Sequence, residues 1–178
     1  MTNNKLFRFA GWCALLTVLL TLVVWGLYIT APTSSLTLIL SVGTLFVLTP
    51  VFYALYIAHR SEAATLSLVG LALWVVAVVL QIASGINITN NFLYAIATLV
   101  FALPLLVFGL LANRSTRMPR GLAVVTLLTG VVWLIAGAVS FNGQTTLAMV
   151  GGVASTVFMV IWLVWLWRHF ASVKLSFS

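Results

Sequence analysis

Very few residues in this chain are of types that do chemistry. Glu62 is the only acidic residue, and there is no aspartate. The histidines are His59 and His169, and the single cysteine is Cys13. One carboxylate cannot supply the paired acid and base of glycosidase-type hydrolysis. Without aspartate, a carboxylate-rich magnesium or calcium site is also out of reach within this chain. No nucleophile–base pair, zinc-ligand spacing, phosphate loop or dinucleotide fingerprint occurs. The expectation is that the chain has no catalytic residues and holds no metal, and that it is not an enzyme.

The isolated groups have structural roles open to them. Glu62 follows Ser61 at the head of an apolar run, where the serine would cap a helix and the carboxylate would meet the helix dipole beside Arg60. His59 and His169 each adjoin an arginine at the end of an apolar run, as polar residues of a membrane interface. As cofactor ligands they are weak candidates, for a pigment or metal held at the interface with a partner chain. Cys13 lies inside the first apolar run, where it acts as a small apolar residue.

These residues are sparse because almost everything else is apolar. The chain has 178 residues, 63% hydrophobic and 5% charged, with a mean hydropathy of +1.25. A soluble domain would carry about 25% charged residues. A bilayer core about 30 Å thick needs about 20 apolar residues per helical span. Six runs meet that need, at about 6–29, 36–58, 63–84, 92–112, 121–139 and 146–167. In lipid every backbone polar group needs an internal partner, so such runs are helices. The predicted fold is all-α, a six-helix transmembrane bundle forming a single domain over 1–178, with no room for a soluble domain.

The charges orient it. Lys5 and Arg8 precede the first span, and Arg60 lies between the second and third. Arg114, Arg117 and Arg120 lie between the fourth and fifth, and Arg168 and Lys174 follow the sixth. All eight basic residues therefore fall on one side, and the three opposite breaks carry no charge. The positive-inside rule places both termini in the cytoplasm. The net charge of +7 then reflects topology and calls for no nucleic acid. Arg60, Arg114, Arg117, Arg120 and Arg168 form a basic rim suited to anionic lipid headgroups. Asn87-Ile88-Thr89 matches a glycosylation sequon on the opposite side but sits in a tight loop.

Arg60, Arg114 and Arg168 recur every 54 residues, and Pro50 and Pro104 share that spacing. Gly43, Ala97 and Gly151 also fall in register. The chain reads as three tandem helical hairpins, although equal spans and loops produce some of this regularity alone. Pro50 and Pro104 each remove a helix hydrogen bond and would kink their spans. With Gln81, the strongest polar side chain inside a span, they are the candidates for a solute path.

The intramembrane hydroxyls, from Thr17 to Thr156, are expected to bond their own helix or a neighbour. Gly130 and Gly137 share one face of the fifth span, and Ala148, Gly151, Gly152 and Ser155 cluster in the sixth, as close-packing stripes. Trp162, Trp165 and Trp167, with Tyr53 and Tyr56, would form an inner aromatic belt, and Trp25, Tyr28 and Tyr94 an outer one. Trp74 and Trp133 lie deeper and would pack the core.

The stretch from Arg117 to Gly137, the Val150-Gly-Gly-Val and Trp162-Leu-Val-Trp-Leu-Trp167 segments and the opening Arg8-Phe-Ala-Gly-Trp12 resemble small bacterial six-span membrane proteins known only as a domain of unknown function. The resemblance implies a bacterial inner-membrane location and brings no catalytic residues. The expected function is a non-catalytic accessory or scaffolding subunit of a larger, energy-transducing or other, inner-membrane complex. It would bind lipid, quinone or pigment between helices, and associate with other membrane subunits or itself. The alternative is a small transporter or channel for a neutral or hydrophobic solute.

Overall fold

A computed structural model describes residues 3–31, 34–86, 91–116, 118–141 and 145–172. Those residues form six α-helices and no strand: α1 Asn3–Thr30, α2 Ser35–His59, α3 Ala64–Ile86, α4 Asn91–Arg114, α5 Arg120–Phe141 and α6 Thr145–Ser172. All six are long and apolar enough to cross a membrane. The protein is an all-α, multi-pass membrane protein. Arg117 and the sequon at Asn87 lie outside the described residues.

The helices outrun the apolar stretches that announced them. α1 begins at Asn3 and carries Lys5 and Arg8 within its first turns. α6 continues past Trp167 through Arg168 and His169 to Ser172. Hydropathy marks where lipid ends, whereas a helix continues while its face has something to pack on. In the last turns of α6, Arg168 is exposed and Phe170 is buried. Phe170 packs edge-on against Phe7, with ring centroids 5.2 Å apart.

The turns satisfy the free helix ends. Ser34 caps α2: its carbonyl accepts from the Leu38 amide and its hydroxyl from the Leu36 amide. Thr37 donates its hydroxyl back to the Ala31 carbonyl, beyond the end of α1. α3 departs from the sequence reading. The carbonyl taking its first helical bond, from the Ser67 amide, is that of Ala63. Ser61 stands two residues too early to be the cap. It belongs to the turn in which the Glu62 and Ala63 amides both donate to the His59 carbonyl and close the end of α2.

The chain divides into two compact units, with boundaries at Ala54/Leu55 and Trp162/Leu163. The first unit holds α1, most of α2 and the last turns of α6. Gly11 brings α1 against α6, since a β-carbon there would lie 3.2 Å from the Phe170 Cβ. Trp12 and Trp167 meet nearby at a tilt, with ring centroids 6.1 Å apart.

The second unit holds α3, α4, α5, the end of α2 and most of α6, and α4 is its centre, packed on both α3 and α5. The α4–α5 seam is built of leucines over glycines. Leu99 covers Gly137, Leu106 covers Gly130 and, reciprocally, Leu127 covers Gly109. Leucines seven apart on one helix meet glycines seven apart on the other in reverse order, as antiparallel helices packed knob-into-hole require. Next to Gly137 along α5, a β-carbon on Gly151 of α6 would lie 3.2 Å from the Ala136 Cα.

Fully buried Trp74 meets Phe101 edge-on at 5.6 Å, and Phe101 meets Trp133 at 4.7 Å. Trp74 thus packs the interior, and Trp133, half-buried, joins it through Phe101. Trp162, expected in the interfacial belt, is fully buried as well, while Trp165 is exposed. The two lie three residues and about 60° apart around the helix, so the edge of the buried face falls between them, which composition does not reveal.

Candidate functional site

Two places in the fold bring together residues with possible roles. The first is a groove in the first unit. Leu6 and Phe9 of α1 face Thr49, Pro50 and Tyr53 of α2 across an open groove of about 480 Å³. Leu6 and Phe9 lie one helical turn apart, as do Thr49 and Tyr53, so each helix contributes one wall. Thr49 directs its hydroxyl to the Leu45 carbonyl, 3.0 Å away, so it adds its methyl to the wall and not a donor. Pro50 contributes its ring. The groove is apolar, and it lies near the end of the unit that carries Lys5 and Arg8.

The second place is a polar cluster in the second unit, where α2 turns into α3 and α4 ends. His59, the last residue of α2, is fully buried, its ring 6.4 Å from that of Phe108 on α4. Its Nδ1 is 3.7 Å from Glu62 Oε2. The other carboxylate oxygen, Oε1, accepts a 3.1 Å hydrogen bond from the Ser115 hydroxyl. Glu62 therefore ties the α2–α3 turn to the residue that follows α4. His59, expected as a polar interfacial group, is instead enclosed. Sequence reasoning passed over Ser115 because a contact spanning 53 residues leaves no local signal.

The other predicted residues are distributed as follows. His169 is half-buried beside Phe170, with rings 5.9 Å apart. It belongs to the first unit and His59 to the second. Pro50 lines the groove, whereas Pro104 is buried inside α4 and Gln81 is half-buried on α3, both in the second unit. α2 and α4 remain helical through their prolines. Arg60, Arg114, Arg120 and Arg168 are all exposed at helix ends. Among the described residues no three histidine, cysteine or glutamate side chains converge.

The intramembrane hydroxyls largely serve their own helices. Thr17, Ser41, Thr44, Thr98, Thr126, Ser155 and Thr156 each donate to the carbonyl four residues earlier. Thr129 does the same and also approaches the Phe158 carbonyl of α6 at 3.3 Å.

No family model, no curated protein and no solved structure matches the chain.

Proposed function

We propose that the chain is a non-catalytic subunit of a bacterial inner-membrane assembly, both termini in the cytoplasm, which holds a lipid, quinone or pigment molecule against its helices. The observation that supports this reading most is the α1–α2 groove. It is apolar, open at the side and flanked by aromatic rings, with Phe9 52% and Tyr53 44% exposed. At about 480 Å³ it falls in the size range of small-molecule sites. The termini are assigned by the eight basic residues that share one side of the spans.

The hydroxyl pairing favours this reading over a solute path. A route for a polar neutral solute needs donors and acceptors along its wall, and the span hydroxyls are largely engaged with backbone carbonyls.

The test is purification in a gentle detergent, followed by native mass spectrometry and an absorption spectrum. The expected result is a co-purifying membrane subunit or a retained hydrophobic molecule. A bare monomer carrying neither would overturn the reading.

A further inference from the structure

We infer that the α1–α2 groove seats an acyl chain of an anionic phospholipid, with Lys5 holding the headgroup. The inference rests on the hydrophobic-molecule reading above and narrows it to one occupant.

Depth in the membrane is the first argument. Leu6 and Phe9 lie in the first turns of α1, and Tyr53 lies six residues before the end of α2. At 1.5 Å per residue, the groove begins within about 9 Å of the basic helix ends. A lipid of the adjoining leaflet has its ester region at about that depth, so its chain can enter sideways without leaving the bilayer.

Charge is the second. Lys5 adjoins Leu6 in sequence and precedes Phe9 by four residues, so it stands one turn nearer the helix start along the same flank. Helical side chains lean toward the N-terminus. The Lys5 stem therefore runs from the groove toward the aqueous edge, where its ammonium can remain hydrated beside a phosphate. Lys5 and Arg8 are both exposed, and no acidic residue belongs to this unit, because the chain's one glutamate lies in the other. An anionic headgroup meets attraction from both of these cations.

The wall chemistry is the third. The groove is lined by Leu6, Phe9, Thr49, Pro50 and Tyr53, and the Thr49 hydroxyl is turned to its own backbone. Such a wall suits a methylene chain.

The experiment uses the full chain in phosphatidylcholine nanodiscs. They are doped with phosphatidylglycerol bearing a diazirine on its acyl chain or, in the parallel arm, with phosphatidylcholine bearing the same label. Cross-linked peptides are mapped by mass spectrometry. The expected result is labelling of the α1 and α2 groove residues by phosphatidylglycerol, several-fold above phosphatidylcholine. Lys5→Gln should lower it about fivefold, the effect of one basic residue near an anionic surface, and Lys5→Arg should retain it. Leu6→Trp, which fills the groove, should suppress labelling there by both lipids while melting of the helices is unchanged. Equal labelling by both lipids, indifference to Lys5→Gln, or a quinone or pigment retained in the groove would overturn the inference. In the retained-quinone or retained-pigment case the broader reading stands. If no subunit, lipid, quinone or pigment is retained at all, the broader reading fails with it.

Discussion

Leu99 lies so close over Gly137 that a β-carbon on the glycine would come 2.8 Å from the leucine Cγ and 2.9 Å from its backbone nitrogen. The two residues lie on α4 and α5, and the same relationship recurs one heptad along, where Leu106 covers Gly130. Because backbone is among the near atoms, a rotamer change of the leucine alone cannot make room. Lipid tails are as apolar as leucine, so close packing of this kind is what holds membrane helices together.

Gly137→Ala and Gly130→Ala should each destabilise the fold by about 1–3 kcal/mol, the usual cost of overpacking. Gly43→Ala is the control, because a β-carbon there meets nothing within 4 Å. It should be neutral or slightly stabilising through helix propensity, by at most about 1 kcal/mol. Unfolding in mixed micelles, followed by circular dichroism, distinguishes the two groups. Equal effects at all three sites would refute the seam.

The seam also predicts coupling. Leu106→Ala alone should leave a cavity, and Gly130→Ala alone should clash. Combined, each should relieve part of the other's defect, with a favourable interaction of about 0.5–3 kcal/mol in a double-mutant cycle. Strict additivity would mean that the two residues do not share a contact.

Trp74 should matter more than Trp165. Trp74 is fully buried against Phe101, and Trp165 is 38% exposed. Trp74→Ala should cost about 3–5 kcal/mol, as for large aromatics in packed cores. Trp165→Ala should cost well under half of that in the same unfolding measurement.

The link from Glu62 to Ser115 should be weak but measurable. The Glu62 side chain is 33% exposed, which screens its interactions. Ser115→Ala should cost about 0.5–1.5 kcal/mol, a typical net hydrogen bond, and amide exchange should quicken near Ser115. If exchange there is unchanged, the link does not restrain the end of α4.

The proposed orientation can be read by cysteine accessibility. Cys13 is buried, and Cys13→Ala should give a silent background. On that background Thr116→Cys, at an exposed position between α4 and α5, should react with a membrane-impermeant maleimide only after permeabilisation. Ser34→Cys, between α1 and α2, should react in intact cells. The opposite pattern would invert the assignment of the termini.

The six membrane helices were legible in the sequence because lipid imposes a single local rule: unbroken apolar runs must satisfy their own backbone. The glycine stripe of α5 was legible for a related reason, since a period of seven puts Gly130 and Gly137 on one face whatever lies opposite. What lies opposite was not legible. That leucines of α4 fill those glycine positions, that Trp162 is enclosed while Trp165 faces outward, and that Glu62 reaches Ser115 are all matters of which helix face meets which neighbour. In a chain this uniformly apolar, buried and lipid-facing sides have nearly the same composition, so hydropathy carries no record of the choice. The α1–α2 groove belongs to the same class. Leu6, Phe9, Thr49, Pro50 and Tyr53 are ordinary residues of two spans, and only their packing across from one another makes them a site.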